Sequence, residues 1–254
     1  MNTGWLEGSN PSYNSQKPGI LFFIKFGAAT GAYDIRPENE SGKVRLFCQM
    51  NAIPGCGTGG WTLVMKIDGS KTTFTYNSSI WTTKTPFKPE NGYDVTETET
   101  KLPSYWLTSM TKLCLGMKYG GMTNWISLNY TAKSLYDVIK DGANRRTNVD
   151  PEIWKSLIVN SKIEVLSVAT PRSLAKTSFK TGCNWEGFNA KTVHAIAAQA
   201  RIGIVGARNC DIPSVSRIGF GTSGSHFGMK DNNSCGNEYQ GDNSIMAFGY
   251  ILVQ

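Results

Sequence analysis

The stretch "GTGGWTLVMKIDGS", residues 57–70, decides how the rest of the chain is read. Trp61 to Ile67 set aromatic, β-branched and long apolar side chains together over seven positions, which predicts a strand. The glycines of "GCGTGG" (55–60) predict a turn before it, and "DGS" (68–70) ends it. On the N-terminal side, "GAYDIRP" (31–37) and "VRLFCQM" (44–50) predict two short strands around the turn "ENESGK" (38–43). On the C-terminal side, residues 68–104 are dominated by Thr, Ser, Asn and Pro and predict long ordered loops. Within them "TETETK" (96–101) alternates like a half-exposed strand.

Farther out, "LPSYWLTSM" (102–110) predicts a short helix opened by Pro103. "TKLCLGMKYGG" (111–121) and "TNWISLNY" (123–130) read as a hairpin closed by Gly120 and Gly121. Two helices carry their own punctuation. "TAKSLYDVIKDG" (131–142) puts Leu135, Val138 and Ile139 on one face and Gly142 at the C-terminal cap. "DPEIWKSLI" (150–158) has Asp150 as N-cap and Pro151 at the first helical position. "KIEVLSV" (162–168), "RIGIVG" (201–206) and "MAFGYILVQ" (246–254) predict further strands. The sum is α+β and strand-led, mainly short strands with a few short helices and long loops, and the chain's end lies inside a sheet. Residues 1–26 read as an N-terminal arm and 27–254 as one domain.

Composition narrows the function. With 254 residues, 40% hydrophobic and 18% charged, the chain can bury a core. No apolar run approaches the roughly 20 residues of a spanning helix, and "ILFFIKF" (20–26) is interrupted by Lys25. That run is also a poor signal peptide, because polar residues including Glu7 precede it. The net charge of +7 invites a nucleic-acid reading, but Arg145–Arg146 is the only basic dipeptide and no basic stripe is interleaved with aromatics. A solvated basic surface accounts for the charge.

Six cysteines, Cys48, Cys56, Cys114, Cys183, Cys210 and Cys235, include no C-x-x-C pair, so zinc ribbons and thioredoxin-type sites find no support. Disulfides in an oxidising compartment, or buried thiols, are the two remaining readings. Four glycosylation sequons, at Asn39, Asn77, Asn129 and Asn232, do not decide the compartment. No catalytic constellation is marked, and the expectation is a protein that is not an enzyme. His194 lies in a mildly apolar segment and His226 in a glycine-rich one. "GFGTSG" (219–224) lacks the Lys-Ser/Thr of a phosphate loop.

One segment does suggest chemistry. "DNNSCGNEYQGDNS" (231–244) ends eight of its fourteen side chains in carboxylate or carboxamide oxygen. Calcium is a hard cation that takes six to eight oxygens from such groups, from backbone carbonyls and from water. Asp231 and Asn233 are spaced i, i+2, Asn237 and Glu238 stand together, and Asp242 follows four residues on. Gly236 and Gly241 permit turns that aim carbonyls inward. The spacing is not that of an EF-hand. An ordinary polar loop has the same composition.

The two most distinctive stretches, "VRLFCQM…GTGGWTLVMKIDGS" and "RIGFGTSGSHFGMKDNNSCGNEYQGDNSIMAFGYILVQ", resemble fibrinogen C-terminal-like domains. The second is similar to the ending of a cnidarian branch that includes skeletal organic matrix proteins of corals, closer to the intelectin type than to fibrinogen. The resemblance runs from about Gly27 to Gln254. It implies a secreted, extracellular, disulfide-bonded recognition domain with bound calcium, whose partners are glycans or matrix components. A homo-oligomer is compatible with it; nucleic acid and a membrane span are not expected. The structural-matrix role, associated with biomineral, is the alternative it carries.

On this resemblance the metal candidates are Asp231, Asn233, Asn237, Glu238 and Asp242, and the ligand-binding candidates are His226, Tyr239 and Trp185. Two departures stand out. The His-containing calcium motif of intelectins is not matched within "SCGNEYQGD", and no cysteine precedes "GAATGAYDIRP" where relatives carry one. Cys48 paired with Cys56 or free, Cys183 with Cys210, and Cys210 with Cys235 are the readings the resemblance leaves open.

Overall fold

The structure is a computed structural model that describes residues 28–35, 42–158, 184–192, 198–206, 216–224, 234–239 and 245–254. Among these residues every strand pairing is antiparallel, and no α-helix exceeds six residues. One sheet runs β1 (Gly31–Ile35), β2 (Val44–Gln49), β3 (Trp61–Asp68), β12 (Phe248–Val253), β5 (Met110–Tyr119) and β6 (Met122–Ala132), with the two-residue β4 (Thr100–Lys101) on β3. The other runs β11 (Ile245–Met246), β10 (Cys235–Tyr239), β9 (Ser216–Ser223), β8 (Gln199–Gly206) and β7 (Asn184–Lys191). The final strand of the chain lies inside the first sheet, bonded to β3 on one side and β5 on the other. The terminal apolar run predicts that position.

Seven of the eight residues of β3 are buried, so the strand lacks the polar alternation of a one-sided sheet. Its register with β12 shifts between Ile251 and Leu252, which leaves Val64 as an extra residue opposite that step. The bulge divides the strand. Trp61 and Leu63 enter a cluster with Leu46, Phe47, Leu102 and Leu252, whereas Met65 and Ile67 enter the larger core. That larger core joins the two sheets: Leu113, Leu115 and Ile251 meet Ile202, Ile204, Ile218 and Phe220, with Trp81 and Trp154 fully buried among them.

Three short helices close the core. In α1 (Ser104–Leu107) the buried Ser104 hydroxyl donates to the Leu63 carbonyl at 2.6 Å, docking the helix on the bulged part of β3. In α2 (Leu135–Ile139) the Ser134 hydroxyl caps the helix by accepting from the Asp137 amide at 3.1 Å, and the predicted apolar face of Leu135, Val138 and Ile139 is buried. Asp150 caps α3 (Pro151–Ser156), its carboxylate accepting from the Glu152 amide at 2.8 Å.

Several expectations change. The helix read over 131–142 starts only at Leu135, because β6 continues to Ala132. "TETETK" becomes strand only at Thr100 and Lys101, and both are buried rather than half-exposed. "MAFGYILVQ" is split at Ala247, whose amide bonds Cys235 and whose carbonyl bonds Gly69, outside the β3–β12–β5 ladder. β7, β9 and most of β10 are strands that the glycines and amides of their sequence conceal. "KIEVLSV", His194 and the arm at 1–26 lie outside the described residues.

The cysteines also rearrange. The disulfide joins Cys56 to Cys114 and pins the 53–57 turn to β5. Cys48 does not pair with Cys56; it is a buried thiol beside Thr62, and burial pushes it up to about 11. Cys235 is likewise a fully buried thiol. Cys183 and Cys210 lie outside the described residues.

Candidate ligand site at the strand ends

The register places Asp68, Phe248 and Lys118 in one row across the ends of β3, β12 and β5. Just beyond that row, the β5–β6 turn at Gly120 and Gly121, the "DGS" turn after β3 and the start of β12 leave a cleft of about 310 Å³. Its charges are internally paired. Asp68 accepts from the Ser70 amide (3.0 Å) and hydroxyl (2.6 Å) and meets the Lys71 ammonium at 3.0 Å. Burial alone raises this carboxyl, but those bonds from Ser70 and Lys71 outweigh it and hold it below its ordinary value. Across the cleft, Lys118 is paired with Glu97.

Behind Asp68 stands Glu99, only 4% exposed. It accepts from the Asp68 amide at 3.3 Å and the Thr73 hydroxyl at 2.9 Å. Burial raises its carboxyl more than those bonds lower it. Glu99 therefore props the "DGS" turn from inside and is not open to a ligand.

This corner is where the described fold meets the oxygen-rich segment. Ser234 donates from its hydroxyl to the Asp68 carbonyl (3.1 Å) and from its amide to the Gly69 carbonyl (3.3 Å). The Gly69 amide donates to Ala247 at 2.9 Å, and the Ala247 amide to Cys235 at 3.0 Å. A Cβ on Gly69 would sit 2.2 Å from the Cys235 oxygen and 2.4 Å from the Ala247 oxygen, so glycine alone lets the three strands meet.

The segment itself is not a single loop. Its centre is β10, held to β9 over five residues and to β11 over two. The carbonyls of those residues are therefore engaged in a sheet, not turned inward around an ion. Gly236 still needs its glycine, with φ +130 and a would-be Cβ 1.9 Å from the Ile245 oxygen, but it serves a close strand approach and not a turn. Asn237 and Glu238 are consecutive strand positions. The register sets Asn237 opposite Ile218 and Ile245, and Glu238 opposite the buried Arg217.

Asp231, Asn233, Asp242 and His226 lie outside the described residues, and Tyr239 ends β10. Trp185 is on β7, four strands from β11, in the register row Trp185–Val205–Arg217–Glu238 that crosses the second sheet. It is half-buried against Val205 and the alanine cluster of Ala190, Ala198 and Ala200, and it does not line the cleft. Sequence reading passed over Asp68, Glu97, Lys118 and Met246. The signals in the sequence are the two turn motifs, "DGS" and Gly120–Gly121, which by themselves mark only strand ends. Among the described residues no three His, Cys, Asp or Glu side chains are placed to hold one metal ion.

No protein-family model and no curated protein matches the chain. Among solved structures, the fibrinogen-like globe domain of human ANGPTL2 matches at 25% identity over 42% of this chain and 47% of that one, with a TM-score of 0.29. The chain thus spans about half the length of that domain, and a likeness at that TM-score supports no argument about fold or function.

Proposed function

We propose that this chain is a secreted, calcium-binding recognition module of fibrinogen C-terminal-like type, a binding protein and not an enzyme, with glycans or matrix components as partners. The observation that carries this reading is the attachment of the oxygen-rich segment. Ser234 at its beginning and Ala247 just past its end are both bonded into the corner that forms the cleft. The Cys56–Cys114 disulfide fits an oxidising, extracellular compartment. Among the described residues no helix is long and apolar enough to cross a membrane.

The donor chemistry fits calcium, since the segment offers carboxylate and amide oxygens. β10 refines the candidate set. Asn237 and Glu238 are consecutive residues of β10, and the candidates around them are Asp231 and Asn233 before the strand or Asp242 after it. Cys235 to Tyr239 spans about 13 Å at strand rise, which makes those two groups alternatives. When bound, calcium supplies positive charge and open coordination positions that hydroxyl oxygens can fill.

Thermal melts in calcium and in chelator test the reading. A ligand at a hundredfold excess over Kd raises stability by about 2.7 kcal/mol, an upward shift of roughly 5–11 °C for a chain of this size. Asp231→Ala and Asp242→Ala, melted separately, identify the group that holds the ion: the shift disappears in one of them. Equal melts with calcium and chelator in the wild-type protein leave residues 231–244 as a polar segment and favour the structural-matrix role instead.

A further inference from the structure

The lining of the strand-end cleft has two unlike walls. One is acidic and already neutralised, with Asp68 against Lys71 and Glu97 against Lys118. The other is apolar: Met246 is 52% exposed beside the nearly buried Phe248, with Tyr119 next to the turn. A charged ligand entering here must displace an ion pair. A ligand rich in hydroxyls need not, because a carboxylate has about four acceptor sites. Ser70 with Lys71 uses three of those on Asp68, while Lys118 uses one on Glu97. Asp68 keeps acceptor capacity on the oxygen facing Lys71, and Glu97 on the oxygen that Lys118 does not use. The volume of about 310 Å³ is at the small end of ligand pockets, which run from roughly 300 to 1,000 Å³. It suits one ring.

We propose that this cleft binds one ring of an uncharged saccharide, with ring hydroxyls donating to Asp68 and Glu97 and the C–H face lying on Met246 and Tyr119. A pyranose has the same two-sidedness as the cleft, apolar on its faces and hydroxylated at its edge. The glycine pair at the β5–β6 turn, with φ +59 and +81, brings bare backbone to the rim. The inference rests on the recognition reading above and adds the place and the ligand class. It also makes sugar and calcium binding neighbours, since Gly69 and Ala247 link the cleft to Ser234 and Cys235.

The test is one glycan array carrying neutral, sialylated and sulfated glycans, probed in calcium with wild-type protein, Met246→Leu and Met246→Arg. Wild type and Met246→Leu bind neutral glycans, and Met246→Arg binds them at least tenfold more weakly while melting as wild type does. Equal binding by Met246→Arg overturns the cleft as the site and leaves the recognition reading standing. A preference for sialylated or sulfated glycans overturns the uncharged class. An array on which the wild-type protein binds nothing removes the recognition reading, and this inference with it.

Discussion

The two sheets use the same antiparallel pairing and differ in what fills the middle of their strands. In the first sheet the centre is side chain: Trp61, Leu63, Met65 and Ile67 on β3 and Ile251 and Leu252 on β12 are buried on both faces, and a disulfide cross-links one of those faces. In the second the centre is backbone. Gly187, Gly203, Gly219 and Gly236 stand opposite one another in a single row across β7, β8, β9 and β10. Where its large polar side chains are buried, they serve as struts: Arg201 donates to the Tyr76 carbonyl (2.7 Å) and the Asn189 amide oxygen (2.8 Å) and lies over the Tyr76 ring. Both sheets remove apolar area from water in the shared core, and the second adds a row of close strand-to-strand approaches. The cleft forms where the two meet.

Removing the cross-link is the severest test of that contrast. Cys56 and Cys114 are 58 residues apart, so chain entropy assigns their bond about 4 kcal/mol. The double variant Cys56→Ser, Cys114→Ser should therefore melt roughly 8–16 °C lower. An unchanged melt means the first sheet owes its stability to burial alone. On the other side, Gly236→Ala should cost about 3 kcal/mol in denaturant unfolding, through a left-handed φ and contact with the Ile245 oxygen. Wild-type stability in that variant would show that the crease in β10 is dispensable.

A smaller effect concerns the buried amine of the first sheet. Lys101 is fully buried and donates to the Ile80 and Thr83 carbonyls, each at 2.6 Å. Replacing it by Met strands those carbonyls and should cost about 1–3 kcal/mol at neutral pH. Burial also pulls the amine down to about 8 from 10.5. Between those values the unfolded chain holds a proton that the folded chain has released, so this group makes the fold more stable as pH rises from 8 to 10.5. Denaturation midpoints over that window should move in favour of wild type relative to Lys101→Met; a constant difference means the amine titrates alike in both states. The smallest effect is expected at the sheet's edge, where Arg45 and Asp34 pair at 3.3 Å with both side chains about half-exposed. Arg45→Ala should change stability by under about 0.5 kcal/mol, and a larger loss would give edge strand β1 a weight the comparison denies it.

Much of the first sheet was legible because its signals are local. A seven-residue run rich in aromatic, β-branched and long apolar side chains, a paired-glycine turn and an Asp-Pro helix start each act within a few positions, and β3, the β5–β6 hairpin and α3 follow them. The second sheet was less so. Only "RIGIVG" among its strands carries an apolar run, while Gly219, Gly221 and Gly236 look like loop punctuation although they lie in strands. The oxygen-rich segment was visible as composition, yet its central strand was not.

The sequence by itself determined that the chain is strand-led, that it ends inside a sheet, and that its oxygen donors gather between residues 231 and 244. These are properties of neighbours along the chain, set by propensity and burial. Only the tertiary structure decided that Cys56 bonds Cys114, that four glycines from four strands share a row, and that Asp68, Lys118 and Met246 line one cleft. Each of these joins residues tens to more than a hundred positions apart, whose meeting depends on sheet order and register. No local pattern encodes that order, because it follows from which buried faces fit together.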